Sequence, residues 1–379
     1  MTSTPIRIAS IEAFSFRVPV QMPIKVAFGT FRDRPFVLVR ITDDEGVQGW
    51  GEIWANWPAV GAEHRARLAT DFGERLVGQT FESPAAFFRQ LTASLEVLVL
   101  QTLEVGPIAQ VVAGLDIAMW DLAARKCGQP LHRMLSQRRP ESVPVYATGI
   151  NPDEPERFAA ARQAEGHRAF KLKTGFGHEL DVRNLTAMRN VLGTEAVITC
   201  DSNQSHDLES AKAFCRAIDP LRLSWFEEPM RVDVPASQWE QLAQFSSTPL
   251  AGGENFHDRQ FSEAIGVQVL QVIQPDVTKW GGITGNWEVA RRSVEAGKRY
   301  CPHFFGGGVS LLASLQLLAA AGGEGLLEFD CHPNVGREAV VGDLLPVENG
   351  RVPVPTGPGL GAEPDLDALR RYQTWTGSV

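Results

Sequence analysis

After Pro140 the chain settles into a rhythm of eight short apolar runs: VPVYATG, FKLKTG, AVITCDSN, LSWFEEP, TPLAGGE, QVIQPD, KRYCPH and LLEFD. Helix-length segments separate most of them. No other feature narrows the fold so far. Near-continuous apolar strands alternating with helices require a parallel sheet with both faces covered. Eight such units predict an α/β fold, a (β/α)8 barrel of the TIM type.

The polar residues keep the same rhythm. Lys173, Asp201, Glu227, Glu254, Asp276, His303 and Glu328 close the second to the eighth runs, with successive gaps of 28, 26, 27, 22, 27 and 25 residues. Each alone has a local explanation: a solvated strand face for KLK, a turn for EEP, a helix N-cap for Asp276. None of those explanations predicts a common spacing. One ionisable residue per unit, at the C-terminal end of its strand, places all seven on the rim where such barrels carry their chemistry.

Upstream, SIEAFSFRVPV and FVLVRITDDEGVQGWGEI read as strands, the second folded into a hairpin at DDEG. QMPIKVAFGTFRDRP reads as a loop between them. Helical periodicity begins near Glu63, and IAQVVAGLDIAMWDLAARKCGQPLHRMLS reads as a long helix stopped at Gly128 and Pro130. The expected organisation is an N-terminal α+β capping domain over residues 1–130 and the barrel over 131–350. A C-terminal segment, 351–379, of loop and short helix then returns to the capping domain.

Composition excludes several classes. At 379 residues, 44% hydrophobic and 21% charged, the chain can bury a sizeable core. A net charge of −9 with no lysine/arginine run gives no reason to bind nucleic acid. Cys127, Cys200, Cys215, Cys301 and Cys331 are scattered and form no CxxC, which argues against a zinc cluster or disulfide framework. MTSTPIRIAS lacks a secretory core, and VSLLASLQLLAAAGG reads as a buried helix rather than a membrane span. A cytoplasmic protein with no membrane partner is expected. GFGHEL and FGGGVS fall short of dinucleotide and phosphate-loop motifs, so no nucleotide, nicotinamide or flavin is expected.

The residue types suggest a reaction. Asp201, Glu227 and Glu254 come from adjacent strands, roughly 5 Å apart, and would repel without a cation. All-oxygen ligation suits Mg²⁺, which can bind a substrate carboxylate and stabilise the enediolate left when the α-proton departs. Lys173 would take that proton, its affinity for it lowered by Lys171 on the same strand face. His303, partnered by Asp276, would serve as a second acid/base, and Glu328, if protonated, would donate a hydrogen bond to the substrate carboxylate.

These residues resemble the enolase superfamily, and the resemblance is closest to its mandelate racemase subgroup. It spans nearly the whole chain: GLDIAMWDLAARKCGQPL, KLK, DSNQS, WFEEP, GENF, QPDVTKWGGITG, CPHFFGGG and LLEFD. It implies Asp201, Glu227 and Glu254 as Mg²⁺ ligands, Lys173 as a base tuned by Lys171, a His303–Asp276 dyad, and an electrophilic role for Glu328. It also implies Asn203 and Lys279 beside the substrate. Asp276 stands where the muconate-lactonising subgroup has a lysine, which argues against that branch.

Capping loops cover the barrel mouth in this family. Here they would be AFGTFRDRP and IWANWPAV, which carry no racemase motif. Arg32, Asp33 and Arg34 would suit a polyhydroxylated acid, whereas Phe28, Phe31, Trp54 and Trp57 would suit an aromatic one or simply pack the loops. YATG, KTGFG, LLEFDCHPN and PTGPGLG are similar to the branch acting on sugar acids and their lactones. The leading expectation is dehydration or lactone cycloisomerisation of a small carboxylate, an acid sugar. A racemase or epimerase of a 2-hydroxy acid is the alternative, since both begin with the same proton transfer. A metal-dependent hydrolase is disfavoured because VYATG lacks an HxH pair, and a non-catalytic binder because bases and ligands are intact. Family members are often oligomers, so a homo-oligomer is expected.

Overall fold

A computed structural model describes residues 5–58 and 60–379. The N-terminal part is an antiparallel sheet of β1 (Ile6–Val26), β2 (Gly29–Asp43) and β3 (Gln48–Ile53), backed by helices α1 (Gly61–Leu76), α2 (Pro84–Thr102) and α3 (Val105–Lys126). A short β4 (Thr80–Phe81) pairs with the start of β1. The turn between β2 and β3 falls at the predicted hairpin, where Asp43 Oδ1 accepts the N–H groups of Glu45 and Val47.

One expectation is overturned. Residues 21–35 are not a loop but the far end of the β1–β2 hairpin, in which Ile24 pairs with Phe31 and Val26 with Gly29. The register shifts between Pro19 and Ile24. Pro19 and Pro23 border that bulge, where a missing N–H disturbs the ladder least. The proline and glycine signals therefore mark a bulge and a tip. Ile24, Val26 and Phe31 hold the extension down in a small buried cluster against Trp57 and Phe305.

Helix α4 (Leu131–Leu135) leads into the barrel, whose strands are β5 (Ser142–Ile150), β6 (Ala169–Lys173), β7 (Val197–Asp201), β8 (Phe226–Glu227), β9 (Leu250–Gly252), β10 (Val272–Ile273), β11 (Arg299–Tyr300) and β12 (Leu327–Asp330). Six lie within the runs read from the sequence, while β5 overruns its run by a single residue at each end and β6 by one at its start. They are parallel; β5 to β11 pair in chain order, and β12 pairs with β5 on its other side. Helices α5 (Pro155–Ala164), α6 (His178–Leu192), α7 (Leu208–Ile218), α8 (Ala236–Phe245), α9 (Arg259–Gly266), α10 (Gly282–Glu295), α11 (Gly308–Ala321) and α12 (Val335–Val341) fill the crossovers and follow β12. The fold is a TIM-type barrel with an N-terminal α+β capping domain.

Two helices are apolar all round because both their sides are covered. α3 is long and apolar enough to cross a membrane, yet 72% of that stretch is buried within the protein. It lies between the capping sheet and α10, where Trp120 Nε1 donates to Thr284 Oγ1 at 2.8 Å. α11, the greasy stretch of the sequence, is buried along nearly its full length. Beyond the barrel, β13 (Arg351–Pro353) pairs antiparallel with β5, α13 (Leu366–Leu369) follows, and β14 (Gln373–Ser378) joins the edge of β1.

Candidate active site

On β6, alternation sends Phe170 and Leu172 into the core between sheet and helices, and Lys171 and Lys173 into the barrel. Both lysines find carboxylates there. Lys171 Nζ lies 2.8 Å from Glu227 Oε1, 2.7 Å from Glu328 Oε1 and 3.8 Å from Asp201 Oδ2. Lys173 Nζ lies 2.5 Å from Asp201 Oδ2 and 3.3 Å from Asn203 Oδ1. Register explains the nearest pairings, because Lys173 sits opposite Asp201 on β7, and Asp201 opposite Glu227 on β8.

Glu254, Asp276 and His303 stand just beyond the hydrogen-bonded strands. Asp276 and His303 face each other across an isolated parallel bridge, and His303 Nδ1 meets Asp276 Oδ2 at 2.7 Å. Thr278 donates its N–H and hydroxyl to the other Asp276 oxygen, at 2.8 and 2.6 Å, which fixes that carboxylate. His303 Nε2 reaches Glu254, whose other oxygen lies 3.3 Å from Lys279 Nζ. Glu328 occupies the second position of β12 rather than its end, and this depth lets it reach Lys171.

A cavity of about 150 Å³ opens on this rim, lined in part by Lys173, Asn203, Glu254, Lys279, His303 and Trp54. Arg32 is not among its lining residues. On β2, Phe31 points inward, and the next residue, Arg32, is therefore exposed on the opposite side. Trp54 stands over Lys279, whose ammonium is 5.1 Å from the ring centroid.

Electrostatics revise two expected roles. Burial, the largest influence, would lower the proton affinity of Lys173, and Lys171 adds to that, but the Asp201, Glu227 and Glu254 carboxylates together outweigh both and raise it. Lys173 is thus an ammonium while Asp201 holds it, not the neutral amine expected. Burial would likewise raise the Glu328 carboxyl, yet Lys171 and His303 hold it below its usual range. Glu328 is therefore ionised in this arrangement and cannot donate. Burial opposes the charge on His303, but Glu254, Glu328 and Asp276 together raise it to about 10.

Sequence reasoning missed Glu228. The second glutamate of EEP lines the cavity, held by Asn255 Nδ2 at 2.9 Å and Gln204 Nε2 at 3.3 Å. Burial first, then repulsion from Glu254 and Asp201, pushes its carboxyl up to about 8. The doublet itself was the available signal, because the chain leaves the strand at Glu227 and alternation no longer turns the next residue away. Gln274 was missed too; it donates to Glu227 Oε2 at 2.7 Å from inside the barrel.

The charge inventory tests whether a divalent cation fits. Asp201, Glu227, Glu228, Glu254, Asp276 and Glu328 are all buried, against Lys171, Lys173, Lys279 and His303. Counted as fully ionised, these six acids exceed the four cations by two charges, an excess that a divalent ion would offset and that without one is relieved in part by the raised carboxyl of Glu228. The donor set of Asp201, Glu227 and Glu254 is all oxygen, as Mg²⁺ requires. These three are each drawn to a lysine or histidine and their oxygens do not converge. Among the described residues, the acids whose ligand atoms lie within 4.8 Å of one another are Asp43, Asp44 and Glu45, at the surface turn where Lys126 binds Asp43 and Glu45.

Comparison with known proteins identifies the family. Residues 10–136 match the model of the mandelate racemase/muconate lactonizing enzyme N-terminal domain, and residues 154–368 match the enolase C-terminal domain-like model. D-galactarolactone cycloisomerase of Agrobacterium fabrum is 30% identical over 97% of this chain and 99% of its own. A solved mandelate racemase/muconate lactonizing enzyme from Bordetella bronchiseptica superposes with a TM-score of 0.90 at 45% identity, covering 97% of this chain and 100% of that one. A racemase from Streptomyces coelicolor solved with bound magnesium gives 0.85 at 25% identity, covering 97% and 100%. Other relatives are acid-sugar dehydratases, and one is an N-succinyl-amino-acid racemase. With both halves matched and the acids and bases gathered at one barrel mouth, the chain belongs to the mandelate racemase/muconate lactonizing enzyme family of the enolase superfamily.

Proposed function

We propose that this protein removes the proton α to the carboxylate of a small acid sugar, with Mg²⁺ as cofactor, and that dehydration or lactone cycloisomerisation follows. One observation carries the reading: two candidate bases, Lys173 and His303, line a single cavity whose surroundings hold an excess of carboxylates. Asp201, Glu227 and Glu254 would hold the ion, which when bound supplies positive charge against the negative charge building on the substrate carboxylate.

Lys173 takes the proton once Asp201 no longer neutralises its ammonium, because burial and Lys171 then both favour the free amine. Nδ1 of His303 is engaged by Asp276, so Nε2 exchanges a proton with substrate once Glu254, which it reaches here, turns to the ion. In a dehydration it would protonate the departing β-hydroxyl. The names of the relatives support a sugar acid, and they also include a racemase.

Proton NMR in deuterium oxide separates the outcomes. Acid sugars incubated with protein and Mg²⁺ should lose the α-proton signal, and dehydration should yield a 2-keto acid. Chelation should stop the exchange and added Mg²⁺ restore it. Exchange that survives complete chelation would remove the metal from the proposal, and exchanged substrate or its diastereomer as sole product would favour epimerisation.

A further inference from the structure

We infer that the cavity selects acids whose far end is uncharged, such as an aldonate or a lactone, over dicarboxylates; this rests on the acid-sugar reading above. The lining divides by origin. Its charged residues, Lys173, Glu228, Glu254, Lys279 and His303, all come from the barrel rim. The capping side contributes Val26, Phe28, Phe31, Trp54, Asn56 and Trp57, none of them charged.

That wall is built rather than incidental. Phe31 packs on Trp57 and on Phe305, with ring centroids 4.7 and 5.1 Å apart, and Phe28 lies 6.0 Å from Trp57. The Asn56 side chain donates to the Phe305 carbonyl at 2.9 Å, which ties the wall to the barrel.

Lys279, whose ammonium lies 5.1 Å from the Trp54 ring centroid of this wall, is paired with Glu254 at 3.3 Å, and the other nearby cations are committed too. Arg34 is buried against Asp330, 2.5 Å away, with its guanidinium stacked 4.7 Å from the Phe305 ring centroid. Lys25 is paired with Asp153 at 2.5 Å, and Arg17 reaches Asp33 and Glu63 at 3.7 and 3.6 Å. Arg32 is exposed and outside the lining. A second carboxylate pressed against this wall would lose water and gain no counter-charge, a heavy cost. A hydroxymethyl group or a closed lactone ring avoids that cost, and its C–H face suits the aromatic rings.

Galactonate, galactarolactone and galactarate form a matched set, differing at one end in hydroxymethyl, ring ester and carboxylate. Binding to the Mg²⁺-loaded protein would be followed by tryptophan fluorescence, and α-hydrogen exchange by NMR on the same samples. Galactonate or the lactone should bind at least tenfold tighter than galactarate, and Phe31→Arg should shrink or invert the ratio. Equal or tighter galactarate binding overturns the inference, as does absence of binding by all three. If the neutral-ended acids bind preferentially but none exchanges, the wall stands and the proposed chemistry falls. If galactarate alone exchanges, the chemistry stands and the inference falls.

Discussion

Lys171 is fully enclosed, with two carboxylates within 2.8 Å and the Tyr146 ring centroid 5.5 Å from its ammonium. Lys173, two residues on, is bound to one carboxylate and touches the cavity. Removing Lys171 leaves Glu227 and Glu328 buried without their cation. Lys171→Met should therefore cost about 3–5 kcal/mol of stability, read from urea midpoints. Lys173→Met should cost clearly less, because Lys173 borders the cavity and Asp201 keeps Lys171 3.8 Å away, yet it should abolish α-hydrogen exchange on the face that Lys173 serves. The two lysines on one strand face thus divide into a structural charge and a candidate base. Equal stability losses for the two variants would show the division to be wrong.

Helices α10 and α11 both begin on glycine, and neither N-cap residue can cap its own helix with a side chain. The caps come from the other layer. Glu52 on β3 accepts from Gly307 N at 2.5 Å and Ser310 N at 3.0 Å, and Asp116 on α3 accepts from Thr284 N at 2.8 Å. A Cβ on Gly307 would lie 3.0 Å from Glu52 Oε2, and one on Gly282 would lie 2.5 Å from Asp116 Oδ2, so glycine admits the visiting carboxylate. Each helix follows a loop that carries half of the His303–Asp276 dyad. Burial outweighs the hydrogen bonds and raises both carboxyls to about 7.

A carboxyl that holds its proton more tightly folded than unfolded favours folding at low pH. That advantage is complete below about pH 4, the unfolded range, and disappears as pH rises through about 7. Melting temperature should therefore fall from pH 5 to pH 8 in the native protein and fall less in a Glu52→Gln/Asp116→Asn double variant. Parallel curves would count against it. These contacts also mark where the sequence stopped being legible. Strands are readable because each is a local pattern repeated eight times, and an ionisable residue accompanies seven of them. A carboxylate reaching a helix 255 residues away, as Glu52 does, has no local signature. FGGGVS looked like a failed phosphate loop because its anion is supplied by the protein itself. The hairpin beyond Pro19 was misread for a related reason, since a bulge and a loop use the same residues.

At the scale of the molecule, the capping layer meets the barrel along two covalent routes, from α3 through α4 into β5 and from β13 through α13 into β14. The second route ends in the sheet where the first began. β14 pairs with Glu12 to Phe16 of β1, Ile11 and Val379 exchange backbone hydrogen bonds at 2.9 Å, and Trp375 and Val379 pack on the capping core. Without residues 373–379, β1 becomes an open edge whose unpaired N–H and C=O groups invite another chain. Five paired residues at roughly 1 kcal/mol per net hydrogen bond, plus the uncovered side chains, amount to a few kcal/mol. The hairpin that supplies Phe28 and Phe31 is the continuation of that same strand, so loosening its base should disturb the cavity wall as well. The truncated protein should melt several degrees lower, scatter light as its concentration rises, and bind neutral-ended acids more weakly while any exchange by the barrel residues persists. An unchanged melting temperature in a monodisperse sample would mean that β14 only decorates the sheet, and that the wall is held by Phe305 and Asn56 alone.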